Sequence, residues 1–291
     1  MTGGAGFSRD AAFSRTLGWV TAPELERVRT ARVAVAGLGG VGGGHVLALA
    51  RLGVGRLALA DFDRFEIHNF NRQSGAFCST VGQTKLEVLS RMARDINPEM
   101  DLRAFPDGVT ETNVDAFLDG VDLYIDGLDF FQLEIRRKVF AACRARGIPA
   151  VTAAPLGFGT AMITFLPDGM SFESYFRLEG RSEPERYARF LAGLSPAFLS
   201  IKYLVHPWAV DFAQRRGPST GVACELCSAV AVAQALKLLL KRGPVRGAPW
   251  ILQFDAYRQV ARWSYRPGGN ANPLQRLLIH LSQRRLKAKA F

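Results

Sequence analysis

The run from Arg32 to Leu52 (RVAVAGLGGVGGGHVLALARL) constrains this chain more than any other segment. It opens as the small-apolar stretch RVAVA, breaks into glycines, and resumes from Val41 with helical spacing. An unbroken apolar run reads as a buried parallel strand. Glycines directly after such a strand permit a tight turn and let backbone N–H groups approach a phosphate at a helix N-terminus. Gly37, Gly39, Gly40 and Gly42 supply them in G-L-G-G-V-G. Asp61 lies nineteen residues after Gly42, at the end of the next apolar run RLALA. A carboxylate there can accept hydrogen bonds from ribose hydroxyls. The pattern predicts a nucleotide with ribose and phosphate, and does not choose between NAD, FAD and ATP.

The same alternation continues downstream. We expect a helix over 84–96 that stops at Asn97-Pro98, since the residue before proline disfavours the α region. A strand in DLRAFPD, a short helix over 113–118, a strand in VDLYIDGLD and a helix over 132–146 follow. IPAVTAAPLGFG and TAMITFLPDG read as two more strands, and PELERVRTA, capped at Thr21, as a short helix ahead of them all. Strand alternating with helix predicts an α/β chain: a Rossmann-like, doubly wound, mostly parallel sheet with helices on both faces. Residues 171–216 are aromatic and Arg-rich with no clear period, and read as an irregular crossover. A helix resumes at about Cys224, apolar nearly all round and so expected to be buried. One or two terminal strands and a basic tail close the chain. We therefore divide it into a helical lead (1–30), a nucleotide-binding domain (31–170), the crossover (171–220), and a return helix with terminal strands and tail (221–291).

Charge narrows the class of partner. Thirty-seven Lys and Arg against 26 Asp and Glu give +11, a balance that attracts nucleic acid, nucleotide or an acidic protein. Much of the excess sits in 177–216 and in the tail from Arg276 to Lys289. Four cysteines in 291 residues do not make a disulfide framework. No run of eighteen or more apolar residues is present, which predicts no membrane span. MTGGAGFSRD lacks a basic-then-apolar secretory layout, and a cytoplasmic location is expected.

The residues after the second strand separate ATP from NAD. D-F-D-R-F-E-I-H-N-F-N-R-Q is followed by G-Q-T-K, which bring Arg72 and Lys85 toward the phosphate end. Hydride transfer has no use for two cations there. Attack of a carboxylate on an α-phosphate does, because charge grows on the phosphate oxygens as pyrophosphate leaves. Mg²⁺ bridging the phosphates needs a carboxylate. Asp129, just beyond the fourth strand in I-D-G-L-D, is placed to provide it, with Asp126 as the competitor.

This ordered set resembles the ThiF/MoeB family, the bacterial relatives of ubiquitin-activating enzymes. The matching residues are the glycine turn, Asp61 and Asp63 in D-F-D, Asn69 to Gln73 (N-F-N-R-Q), the G-Q-T-K that ends at Lys85, Ile96-Asn97-Pro98, and Asp126 with Asp129. The resemblance implies that ATP and Mg²⁺ activate a carboxylate as an acyl-adenylate. The usual substrate is the C-terminus of a small ubiquitin-like or sulfur-carrier protein or a peptide. It implies that Gly37, Gly39, Gly40 and Gly42 line the nucleotide, that Asp61 and Asp63 hold its ribose side, and that Asn69, Arg72 and Lys85 contact phosphates. Asp129 would serve Mg²⁺, and Arg15 would reach the partner's site in a homodimer. Two departures stand out. Family members often carry two C-x-x-C pairs for structural zinc, and this chain has the single pair Cys224 and Cys227, which predicts none. Either cysteine is a candidate thiol acceptor, since a helix N-terminus lowers a thiol's pKa, with buried packing thiols as the competing reading. Phe130 replaces a polar residue after Asp129. A tRNA-modifying adenylating dehydratase, which the basic charge suits, and a dehydrogenase or flavoprotein sharing the fold remain the alternatives.

Overall fold

The computed structural model describes residues 6–206, 209, 214–215 and 217–287, with side chains as far as 283. The opening glycines and the end of the basic tail expected from sequence lie outside the described residues.

A short helix α1 (Arg9–Phe13) and a 3-10 turn (Ser14–Thr16) lead into α2 (Ala22–Thr30). Thr21 and Glu24 form a capping box at the start of α2, with Pro23 in its first turn. The core then alternates: β1 (Arg32–Ala36), α3 (Gly42–Leu52), β2 (Arg56–Ala60), α4 (Lys85–Ile96), β3 (Asp101–Phe105), α5 (Val114–Phe117), β4 (Leu123–Asp126), α6 (Leu133–Ala145) and β5 (Ala150–Leu156). The hairpin partner β6 (Gly159–Phe165) follows, then α7 (Phe172–Phe176), α8 (Glu183–Leu194), α9 (Gly221–Leu240), β7 (Trp250–Asp255), β8 (Val260–Tyr265) and α10 (Pro273–Lys287). One eight-stranded sheet results, in the order β3-β2-β1-β4-β5-β6-β7-β8. It is parallel from β3 to β5 and antiparallel from β5 to β8. The expected Rossmann-like α/β architecture is therefore present, with four of the seven strand pairings parallel.

Side chains of the inner strands alternate between two cores, as the period of a strand requires. Val33, Val35, Leu57, Leu59, Leu123 and Ile125 pack toward the layer that holds α3, α4 and α9. Ala34, Ala36, Ala58 and Ala60 point the other way, and their small volumes admit the rings of Phe117, Tyr124 and Phe140.

Three expectations need amending. The crossover is helical in part: Ser171 and Ser182 cap α7 and α8, and Ser182 with Glu185 makes a capping box. Phe130, Phe172, Phe176 and Phe190 form one aromatic cluster, which Phe165 of β6 ties to the sheet. The segment read as a basic tail forms α10, held to α8 by Gln275, whose side-chain amide donates to the Ala192 carbonyl at 3.0 Å. Finally, α9, at 20 residues, is long and apolar enough to cross a membrane. It packs instead on α3, β5 and β6, and Gln234 donates to Thr164 Oγ1 at 3.1 Å inside that contact. The expectation that this helix is buried all round holds on one side only, since Val222, Glu225, Ala229 and Ala233 are exposed.

Candidate functional site

The turn between β1 and α3 is held by backbone against backbone. Gly37 has φ 81° and donates its N–H to the Ala60 carbonyl at 2.8 Å. A Cβ on Gly37 would lie 2.4 Å from the Gly127 carbonyl oxygen, and one on Gly42 would lie 1.8 Å from the Gly37 oxygen. These two glycines permit close packing. Gly39 differs: a Cβ there would meet only Gln73 Nε2, at 3.7 Å. Open space above Gly39 is what a bound phosphate needs.

Asp61 closes β2 and is buried beside this turn. Its Oδ2 accepts the Leu38 N–H at 2.6 Å and its Oδ1 the Asp63 N–H at 2.8 Å. Burial pushes its carboxyl above the usual range, and these two donors partly offset that. Asp61 therefore braces the glycine turn, a task beyond the ribose contact expected of it. Asp63 in turn pairs with Lys85, Nζ to Oδ2 at 2.9 Å. Lys85 is the first residue of α4, after the Thr84 cap, and its side chain is 7% exposed against 52% for Asp63.

Asn69 and Arg72 occupy the loop after β2. Asn69 Oδ1 accepts the Glu66 N–H at 2.9 Å, and the Asn69 carbonyl accepts the N–H groups of Arg72 and Gln73. Asn69 shapes the loop that presents its neighbours. Arg72 donates to the His68 carbonyl and to Asn71 Oδ1, both at 2.9 Å, and runs along Gly40, where a Cβ would lie 3.9 Å from Arg72 Cδ. Gln73, absent from the predicted site, is buried against Gly39 with its Oε1 unpartnered among the described residues. An orphaned buried acceptor beside an open glycine fits a ligand carrying N–H or O–H groups. Its position in N-F-N-R-Q was the only signal in the sequence.

The two candidate aspartates separate cleanly. Asp126 is 2% exposed, and it receives Arg136 Nε at 2.8 Å, Thr152 Oγ1 at 2.8 Å and Tyr124 O–H at 3.3 Å. Asp129 is exposed and uses one oxygen to cap the Phe131 N–H at 3.0 Å. It follows Leu128, whose Cα is 2.7 Å from where a Gly37 Cβ would stand. Asp129 thus has an oxygen to offer a cation beside the turn, and Asp126 does not.

Arg15 is exposed and stands apart from this cluster. Phe13, two residues earlier, packs on Gly53 at the far end of α3. Eleven helical residues separate that end from the turn, about 16 Å at 1.5 Å per residue. The chain does not bring Arg15 to its own site. Cys224 and Cys227 belong to the first two turns of α9, capped by Thr220. Cys227 donates to Thr160 Oγ1 at 3.1 Å within the core, while Cys224 Sγ lies 3.1 Å from where a Gly40 Cβ would be. Burial raises the pKa of both thiols, opposite to the helix-terminus effect expected.

The model of the ThiF family matches residues 13–276. The chain belongs to the ThiF family. Within that family, a tRNA threonylcarbamoyladenosine dehydratase of Bacillus subtilis is 41% identical over 130 residues, 44% of this chain and 50% of that protein. The sulfur carrier protein ThiS adenylyltransferase of Escherichia coli is 28% identical over 59% of this chain and 67% of its own length. The crystal structure of the E. coli tRNA N6-threonylcarbamoyladenosine dehydratase superposes with a TM-score of 0.59 at 25% identity, covering 80% of this chain and 95% of that one. The chain spans about half the length of the dehydratases it matches in sequence.

Proposed function

We propose that this ThiF-family chain is an adenylyltransferase, which uses ATP to activate a carboxylate as an acyl-adenylate. What supports the reading is a glycine turn with room beside Gly39, Arg72 running along Gly40, Asp129 following the Leu128 that abuts Gly37, and Lys85 linked to the turn through Asp63 and Asp61. Backbone N–H groups at the start of α3 would receive phosphate oxygens. Arg72 and Lys85 would neutralise charge as the carboxylate oxygen bonds to the α-phosphorus and the bond to pyrophosphate breaks. Asp129 would hold Mg²⁺, which supplies charge neutralisation at the phosphates. Asp61 and Gln73 would meet the nucleoside. Arg15 would act on the site of a second copy, making the active form a homodimer, which we place in the cytoplasm.

For the carboxylate we favour the C-terminus of a small ubiquitin-like or sulfur-carrier protein or peptide, as in the ThiS adenylyltransferase that the chain resembles. A second reading has its own support. Three dehydratases of tRNA threonylcarbamoyladenosine match at 36–41% identity, and a net charge of +11 suits tRNA. There the threonyl carboxylate would be the group activated.

ATP–pyrophosphate exchange tests the reaction. We expect exchange that depends on an added carrier or on the modified tRNA, and its loss by at least 100-fold in Lys85→Ala and Asp129→Ala, about 2.7 kcal/mol. Exchange in neither case, or exchange indifferent to both substitutions, would defeat the reading.

A further inference from the structure

The hairpin of β7 and β8 carries a feature that adenylation does not use. Its register pairs Trp250 with Tyr265, Leu252 with Trp263 and Phe254 with Ala261, so these six side chains share one face of the sheet. α9 lies on that same side, but it packs across β5 and β6, and of the six Leu252 joins the core beneath it. Beyond the helix the face is left open: Trp263 is 37% and Tyr265 50% exposed, and β8 is the edge of the sheet.

Arg246 completes the surface. Its guanidinium lies 5.1 Å from the Trp250 ring centroid and 5.0 Å from that of Trp263, bridging β7 and β8 across the rings. The Trp250 and Tyr265 rings are 4.7 Å apart with their planes tilted by 37°. Lys237, Lys241, Arg242 and Arg246 lie between the last turn of α9 and β7, Arg242 already pairing with Glu24 at 2.9 Å, while the register turns Arg262 to the opposite face, the side of the acid Asp255. That acid is buried, where it accepts the Tyr203 hydroxyl at 2.7 Å and the Arg258 N–H at 3.0 Å.

We propose that this face binds an unpaired stretch of nucleic acid, with bases stacked on Trp263 and Tyr265 and a phosphate met by Arg246. The Arg246 guanidinium among the rings disfavours a cationic partner. Exposed rings with a guanidinium stacked among them match a ligand that repeats a flat π-system and a negative charge. An acidic protein would satisfy the charge and leave the rings without a matching partner. The inference bears on the second substrate reading above but is tested by binding alone, so its failure leaves adenylation standing.

The test is fluorescence anisotropy of the full chain with a labelled single-stranded RNA of mixed sequence at about 0.1 M salt. We expect saturable binding, weakened roughly 5- to 150-fold by Trp263→Ala and by Tyr265→Ala, since a stacked base is worth about 1–3 kcal/mol. Trp263→Phe restores most of the affinity, and Arg246→Ala lowers the slope of log affinity against log salt by about one. An ATP-dependent rise in melting temperature, measured on the same samples, reports folding and the nucleotide site separately. Three results each overturn the proposal: no binding by the parent, equal binding by the folded alanine variants, or loss in those variants of anionic-vesicle binding with RNA binding unchanged.

Discussion

Asp126 and Asp129 stand three residues apart at the end of the same strand, and the structure assigns them opposite kinds of work. Asp126 forms an ion pair with Arg136 in which the side chains are 1% and 3% exposed. Removing one partner of such a pair leaves a buried charge without its counter-ion, at a cost of about 3–5 kcal/mol. Arg136 keeps carbonyl acceptors at Leu128 (2.5 Å) and Asp129 (3.1 Å), which places Asp126→Ala toward the lower end of that range. Thr152 and Tyr124 lose an acceptor as well, and the Arg136 guanidinium stacks 4.9 Å from the Phe190 ring of α8, so the loss spreads to the crossover. Asp129→Ala removes an exposed carboxylate and one loop hydrogen bond, worth about 1 kcal/mol. Urea unfolding followed by circular dichroism and by tryptophan fluorescence measures both. With a slope of about 3 kcal/mol per molar urea, Asp126→Ala shifts the midpoint down by about 1 M and Asp129→Ala by a third of that or less. The exchange assay should show the reverse order of harm per unit of stability lost. Equal midpoints for the two variants, or a larger shift for Asp129→Ala, would refute the assignment.

The glycines give a paired prediction. Gly39→Ala keeps the parent melting temperature but weakens ATP binding at least tenfold by calorimetry, whereas Gly42→Ala, with its Cβ driven onto the Gly37 oxygen, yields little folded protein. His45, fully buried in the first turn of α3, has its pKa lowered from 6.5 to about 4 by that burial. The unfolded chain therefore binds the proton first. Stability is intact above pH 6.5 and falls by about 3 kcal/mol as pH drops toward 4, a loss that His45→Phe should remove from a pH series of urea midpoints. Thiol titration with a chromogenic disulfide should find one fast-reacting cysteine in the native chain, Cys78, and four after denaturation. Fast reaction of a second thiol in Cys78→Ser would contradict the burial of Cys143, Cys224 and Cys227.

Much of the nucleotide-binding half was legible because its signals are local. A strand that breaks into glycines and a proline that stops α4 each act within a few residues. The crossover was not, although α8 places Tyr187, Phe190 and Leu194 at helical spacing. Its arginines masked the period, and the ring cluster with Phe130 and Phe176 that fixes it joins residues far apart in sequence. The sequence favoured Asp129 by its place beyond the strand, but why Asp126 is unavailable was beyond it for the same reason. The choice depends on Arg136 and Thr152 reaching one of them from another helix and another strand.

That division between locked and available charge bears on how the site would work. Asp126 and Arg136 lie in the core, where ion pairs cannot exchange partners without a cost of several kcal/mol. Lys85 and Asp63 also form a pair, but its carboxylate end is half open to solvent. With the lysine buried and only the carboxylate open to water, Lys85 has one ion-pair partner to give up for a phosphate arriving over Gly39. Asp61 cannot follow, because both its oxygens are engaged by the N–H groups of Leu38 and Asp63. On the proposed function, the turn would stay in shape while the lysine beside it changes partner. Catalysis by preorganised charge asks for this combination: a rigid cradle of backbone donors, and a cation released toward the phosphates when the nucleotide arrives.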